Sequence, residues 1–478
     1  MNEKKIITEE TGKLDRRTFL QGVVAASSLT ALPSAGVFGA VERVTRVSPN
    51  EKVNIAVIGV GNRGWDVLRG LNDTGLVNVV ALCDTEIGDT RTLNAIKLFP
   101  NVPQFKDFRQ LFDKMGKQFD AVAVATPDHS HFPVCMLAMN QHKHVYVEKP
   151  LAHSFYQIEL MMAAERRYKV ACQMGNQGHS EANYHQFKAW VNAGIIKNVS
   201  KITAFMNSPR RWHGMVVNEM PPAQRIPSYL DWSTWIATAN DHRFNGTFLN
   251  GDWRSWFDFG NGALGDWGAH IFDTCHEFLQ LGLPTVVEPT LDGHSDFIFP
   301  QASTIAFHFP KRKNMPACDL TWYDGVKNLP PLPAGFSGGV VDPNIPPPTK
   351  GTIDTKVAPP GKVIYGEGLT FKGGSHASTL EVINKEAAKD MKFPEVPVTT
   401  SNHFLNFVRA CRGEEKTRSH FGVAGPLCQA MAIGIIAQRV NAKLEFDPKK
   451  RRITNHKIAD ALLKGVPPRK DWEQFYKM

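Results

Sequence analysis

The sequence predicts an α/β protein of two domains, the first built around a dinucleotide-binding turn. Three observations carry that expectation. From Val53 onward, short apolar runs alternate with helix-length stretches, as in a parallel sheet covered on both faces. The first run ends directly in Gly59-Val-Gly61-Asn-Arg-Gly64, a glycine fingerprint at a strand-to-helix turn. Past Met174 the character changes, and strand-like runs with Trp and Arg clustered between them mark a second domain with a broader, more exposed sheet.

The N-terminus differs in kind from the rest. Arg16-Arg17-Thr18-Phe19-Leu20-Gln21 precedes a mildly apolar run, Gly22 to Ala40, broken by Ser27, Ser28, Thr30, Pro33 and Ser34. A membrane helix needs about 20 strongly apolar residues, and this run is not one. Paired arginines before a weakly apolar segment resemble a twin-arginine export signal. Residues 1–40 are therefore expected to be a signal peptide and 41–50 a linker. No cysteine precedes Cys83, which rules out a lipid-modified cysteine at the cleavage site. Twin-arginine systems move folded proteins, so a cofactor can be captured before export. The expected location is the periplasm, with the export machinery as a partner.

The chain has 478 residues, a net charge of +9 and seven cysteines. Two domains are the natural prior for that length. The basic cluster Lys449-Lys450-Arg451-Arg452 reads as a solvated surface, and no nucleic-acid-binding signature accompanies it. The cysteine count is odd and there is no C-x-x-C. Cys83, Cys135 and Cys172 lie in apolar runs and read as reduced core residues; no metal is expected.

The NAD-binding domain is expected over residues 51–174. Its strands are Val53–Ile58, Val77–Cys83, Phe119–Ala125, His144–Val147 and Val170–Met174. Gly59 permits the tight turn, Gly61 lets backbone approach a pyrophosphate, and Gly64 lets the helix pack on the strand. Asp84 ends the second strand, 20 positions after Gly64. A carboxylate there accepts a hydrogen bond from a ribose 2′-hydroxyl and repels a 2′-phosphate, so NAD is expected rather than NADP. The turn Thr126-Pro127-Asp128-His129-Ser130-His131 and the later Glu148-Lys149-Pro150 face one crevice beyond the strand ends. His131 reads equally as a helix cap or a cofactor contact. The candidate cofactor contacts are Gly59, Gly61, Asn62, Arg63, Gly64, Asp84, Thr126, Pro127, His131, Glu148, Lys149 and Asn176.

The second domain is expected over 175–455, followed by a basic tail, 456–478. Its strands include Ile202–Met206, Thr304–His308 and Asp319–Tyr323. Arg210, Arg211, Trp212, Trp253, Arg254 and Trp256 suit sugar or polyol recognition, with rings over apolar faces and guanidiniums on hydroxyls; packing is the competing reading. Asp266 and His270 stand four apart, on one face of a helix. A carboxylate beside an imidazole orients it and raises its basicity. The candidate substrate contacts are His179, Arg211, Trp253 and Arg254, with Lys149, Asp266 and His270 as both contacts and catalytic groups. Residues 328–362 form a Pro- and Gly-rich excursion that reads as a lid, an interface arm or a long surface loop. Helices are expected over 401–411 and 422–442.

These residues resemble those of the Gfo/Idh/MocA oxidoreductases, the group of glucose–fructose oxidoreductase and inositol dehydrogenase. The fingerprint with Asp84, the Thr126-Pro127…His131 turn, Glu148-Lys149-Pro150 and the Asp266…His270 helix follow the family's order and spacing. The resemblance covers essentially everything after about residue 50. It implies an N-terminal Rossmann dinucleotide-binding domain and a C-terminal α/β domain with a large open, mostly antiparallel sheet. A homo-oligomer, dimer or tetramer, is also implied. Lys149 resembles the lysine that bridges nicotinamide and substrate hydroxyl, and Asp266 and His270 resemble the proton-handling pair. The implied reaction is hydride transfer between tightly bound NAD and a secondary hydroxyl of a sugar, glycoside or cyclic polyol. One branch of the family instead hydrolyses glycosides through a transient keto-sugar. The intact Lys149 and Asp266…His270 pattern favours dehydrogenation.

Overall fold

The computed structural model describes residues 51–207, 217–336, 359–398 and 401–478. The expected signal peptide and linker, Arg210, Arg211, Trp212 and the middle of the Pro-rich excursion lie outside these residues.

The first sheet is parallel and runs β3-β2-β1-β4-β5-β6. Its strands are β1 (Val53–Ile58), β2 (Val77–Cys83), β3 (Gln104–Phe105), β4 (Ala121–Val124), β5 (His144–Val147) and β6 (Cys172–Met174). Helices α1 (Arg63–Asn72), α2 (Leu93–Leu98), α3 (Phe108–Met115), α4 (His131–Asn140) and α5 (Phe155–Tyr168) fill the intervals. Every residue of β4 and β5 is buried. Burial on both faces is why these strands read as unbroken apolar runs rather than as alternation. The strands expected over Phe119–Ala125 and Val170–Met174 are shorter than the apolar runs that signalled them, because ladder pairing stops before the apolar sequence does.

The second sheet has nine strands in the order β13-β12-β11-β7-β10-β9-β8-β14-β15. They are β7 (Lys201–Met206), β8 (Val286–Asp292), β9 (Ala302–Phe309), β10 (Cys318–Asp324), β11 (Gly361–Tyr365), β12 (Thr370–Gly374), β13 (Glu381–Val382), β14 (Leu444–Asp447) and β15 (Arg452–Ile453). Among the described residues only β7 and β10 pair in parallel in this sheet, so it is mostly antiparallel. Burial alternates residue by residue along β9, the mark of a sheet with one covered face. Helices α6 (Ala182–Asn192), α7 (Trp232–Ile236), α8 (Gly262–Ile271), α9 (Asp273–Phe278), α10 (His403–Cys411), α11 (Phe421–Val440) and α12 (Lys457–Leu462) complete the chain. Both sheets lie in one unit, Val44–Met478.

Two expectations change. The excursion ends before 362, because Gly361 and Lys362 already pair with Gly374 and Gly373 in a β-hairpin. The tail is not loose. Trp472 and Phe475 pack on Phe108 at ring-centroid distances of 6.0 and 5.9 Å, and Tyr476 lies 4.6 Å from Phe132. Arg451, from the basic cluster, pairs with Glu159 at 2.9 Å and covers Phe155, so part of that cluster is structural. All seven cysteines are buried and unpaired. Helix α11 is long and apolar enough to cross a membrane, yet it is largely buried inside the protein. It begins at Phe421, and Asn441, with φ of 46°, ends it in the left-handed region one residue before the expected stop.

The tail's packing gives a stability test. Trp472→Ala should cost about 3 kcal/mol, in the range for truncating a buried aromatic, measured by denaturant unfolding. A cost near zero would mean that residues 463–478 are only loosely attached.

Candidate active site

The first sheet's strands end at a cleft of about 1110 Å³ shared with the second domain. Gly59 makes the turn out of β1 with φ of 83°. A Cβ there would lie 2.6 Å from the Ala125 carbonyl carbon, so only glycine lets the turn pack on the neighbouring strand end. At Gly61 a Cβ would meet nothing nearer than the Arg91 Cβ at 3.4 Å, and the residue lines the cleft. Gly64 serves packing instead. Its Cβ would lie 2.0 Å from the Gly59 carbonyl oxygen, and it is not part of the cleft wall.

Asp84 pins this turn. One carboxylate oxygen accepts the Val60 N–H at 2.9 Å and the other accepts the Glu86 N–H at 2.9 Å. Burial pushes its pKa up, against these N–H groups and Arg91. Asp84 also lines the cleft. The open backbone at Gly61, the helix N-terminus with Asn62 and Arg63 in the wall, and a carboxylate after β2 fit the pyrophosphate and ribose of a dinucleotide. Thr126 and Pro127 form the adjoining wall.

Glu148 is buried, and one of its oxygens accepts from Arg63 Nε and from Gln177 Nε2, each at 3.0 Å. Its carboxylate fits because Gly175 is opposite, where a Cβ would come within 2.7 Å of Glu148 Oε1. The next residue, Lys149, reaches across to α8. Its Nζ donates to the Asp266 carbonyl at 2.9 Å and also to the Asp266 carboxylate. Arg254 Nε lies 3.7 Å from the same carboxylate, and its guanidinium lies 4.2 Å from the Trp253 ring centroid.

His270 differs from its expected setting. Asp266's carboxylate is engaged by Lys149, whereas the His270 ring stacks on His376, with centroids 3.9 Å apart and planes at 20°. Its Nδ1 is buried without a hydrogen-bond partner. Nor is its basicity raised. Burial pushes its pKa well down, His376 and Lys149 add to this, and the opposing effect of Asp266 is smaller. The ring is therefore a neutral imidazole in the cleft wall, with a lone pair available but a weakened affinity for a proton.

Three expected contacts stand behind the wall rather than in it. His131 has Nδ1 2.8 Å from the Pro150 carbonyl and Nε2 2.8 Å from the Thr126 carbonyl, so it braces the two turns together. Asn176 donates to Asp273 at 2.9 Å and accepts from Ser419 at 2.6 Å. His179 is fully buried, with Asp273 at 2.7 Å and Glu277 at 2.9 Å. Burial alone would lower its pKa, but the two carboxylates push it up to about 10. Trp256 also packs inward, against Phe248, whereas Trp253 and Arg254 line the cleft.

The sequence reading passed over Asp128 and His376. Asp128 was visible in the Thr-Pro turn; His376, in a Gly- and Ser-rich loop, carried no motif. Asp128 accepts the Asn261 N–H at 3.1 Å. Burial, with help from Asp266, pushes its carboxyl up to about 7 against Arg254 and Lys149.

Comparison with known proteins gives the chain a family. Residues 53–176 match the oxidoreductase-family model for the NAD-binding Rossmann fold, and residues 181–294 match the family's C-terminal α/β domain. The chain belongs to the Gfo/Idh/MocA oxidoreductases. The first domain is an NAD-binding Rossmann domain. Among relatives, inositol 2-dehydrogenase of Salmonella paratyphi B is 29% identical over 176 residues, 36% of this chain and 47% of that protein. A glycosyl hydrolase family 109 protein of Shewanella pealeana is 28% identical over 181 residues, 34% of this chain and 40% of that protein. The chain thus matches less than half the length of these relatives. The WlbA dehydrogenase of Bordetella pertussis, solved with NADH and UDP-GlcNAcA, shares the fold with a TM-score of 0.55, 14% identity and coverage of 83% and 99% of the two chains.

Asp128 supplies a pH test. Its carboxyl ionises near pH 4 in an unfolded chain and near 7 in the folded one. The folded protein therefore holds the extra proton between those values. The destabilisation is absent below about pH 4, grows as pH rises and is complete above about pH 7. Asp128→Asn removes it, so the variant's Tm relative to the parent should increase from about pH 5 to about pH 8. A difference in Tm independent of pH would contradict the raised value.

Proposed function

We propose that this protein oxidises a secondary hydroxyl of a sugar, glycoside or cyclic polyol, with NAD held tightly in the cleft. The observation that carries the reading is Lys149 and Asp266 joined in one wall with a neutral His270. The substrate hydroxyl lies between Lys149 and His270. Lys149 stabilises the developing alkoxide by charge, and His270 accepts the hydroxyl proton. Asp266 aims the ammonium and is itself flanked by Arg254. When bound, the nicotinamide supplies the hydride acceptor. Arg254, its guanidinium held over the Trp253 ring, offers donors for ring hydroxyls. The similarity to an inositol dehydrogenase supports a cyclic polyhydroxy substrate.

The similarity to family 109 glycosyl hydrolases favours a second reading, redox-neutral cleavage of a glycoside through a transient keto-sugar. Both readings begin with the same hydride removal. Products separate them. Incubation with a glycoside panel should yield keto-glycoside with its glycosidic bond intact. Free unoxidised sugar and aglycone, formed catalytically without an electron acceptor, would establish the hydrolase instead. Lys149→Ala and His270→Asn should each lose activity by about 100-fold or more while still binding NAD. Near-normal turnover in both would overturn the site.

We further propose export through Arg16-Arg17 by the twin-arginine route to the periplasm, with NAD loaded beforehand and the chains assembled as a homo-oligomer. NAD(H) should then be released on unfolding protein recovered from the periplasm. Arg16→Lys with Arg17→Lys should leave the protein in the cytoplasm. Unaltered export of that variant, or recovery without nucleotide, would contradict the proposal.

A further inference from the structure

We propose that His376 is a positioning residue for this reaction, holding the His270 ring by stacking and limiting the two imidazoles to one proton between them. The inference rests on the oxidation proposed above, because it gives His270 a proton to receive. The geometry is specific. The two rings are 3.9 Å apart, centroid to centroid, and inclined by only 20°. Trp267 meets His376 edge-on, at 5.6 Å and 80°. The His376 backbone rests on the turn at Gly178, where a Cβ would lie 2.5 Å from the His376 carbonyl oxygen. Its Nδ1 lies 3.0 Å from Ser375 Oγ. Both imidazoles line the cleft.

The stack has a chemical consequence. His270 Nδ1 has no hydrogen-bond partner, so no protein group holds the ring through that atom. The face-to-face contact with His376 supplies the orientation instead. Two imidazolium ions at this separation would repel strongly in a partly desolvated site. While His376 is neutral, His270 can take the substrate proton. Once His376 is protonated, His270 cannot. The other charges facing His270 are Lys149 from the end of β5, Asp266 from α8 and Arg63 from the start of α1. The turn beneath His376 also carries His179, whose charge is engaged by Asp273 and Glu277. Lys149 and Arg63 act in the same direction as His376, and Asp266 opposes them.

The test needs no substrate. Histidine side-chain NMR of the NAD-loaded protein, with ¹⁵N-labelled imidazoles, follows His270 across pH, its signal assigned through His270→Asn. His376→Phe keeps a flat ring on His270 and removes the charge. The His270 midpoint should rise by about one pH unit in this variant, since a like charge has been removed. His376→Asn should raise it similarly and also broaden the signal, because the stack is lost. Midpoints unchanged in both variants would overturn the proposal, as would the same broadening in both. Once a substrate is known, the acid limb of kcat/KM should move downward in His376→Phe, because the protonated His376 that blocks His270 is gone. The NMR readout does not depend on turnover, so a failed oxidation assay would leave it standing as a separate result.

Discussion

The Lys149–Asp266 ion pair is the contact on which the cleft depends. Lys149 comes from the tip of β5 in the first domain and Asp266 from α8 in the second, with side chains only 13% and 14% exposed. Charges this sheltered need each other, because removing one leaves the other poorly solvated. The pair is supported by its neighbours. Asn261 Nδ2 donates to the Ala152 carbonyl at 3.3 Å, and the Leu151 N–H lies 3.5 Å from Cys428 Sγ. Gly268 lets α8 come close to α11, since a Cβ there would lie 2.9 Å from Met431 Sδ. The Glu-Lys-Pro turn is thereby tied to the small-residue helix, and the site forms where the two domains meet.

Around that pair the protein sets its titratable groups apart. His270 and His179 are both buried, yet burial wins at His270 and the carboxylates win at His179. The first is left neutral in the wall. The second is held charged behind it, bridging Asp273 and Glu277 of α9. His270 on α8 and the carboxylates of α9 that hold His179 thus lie within eight residues of one another. Asp128 adds a carboxyl balanced near neutrality beside Lys149 and Arg254.

Much of this was legible in the sequence, for physical reasons. Parallel strands buried on both faces leave unbroken apolar runs, and glycines at a strand-to-helix turn have steric causes that the structure reproduces at Gly59 and Gly64. Helical spacing put Asp266 and His270 on one α8 face, but spacing cannot say which partner a carboxylate chooses. The lysine arriving from residue 149 took it. Polar residues such as His131, Asn176 and His179 read as contacts because they flank strand ends, whereas their hydrogen bonds are satisfied inside. Of the β11–β12 hairpin, the Pro- and Gly-rich stretch took in only Gly361 and Lys362, and no strand was expected beyond it. His376 was hidden too, since its role comes from a stack between segments about 100 residues apart.

The most direct measurement is the fate of the hydrogen on the substrate's carbinol carbon. The NAD-loaded protein should be mixed, in a single turnover, with sugars and polyols deuterated at ring carbinol positions, and its cofactor recovered for mass spectrometry and NMR. Direct transfer of one deuterium to C4 of the nicotinamide, lost in Lys149→Ala, is the result expected. Deuterium that stays on the sugar or passes to solvent, with product still formed, would contradict hydride removal in this cleft.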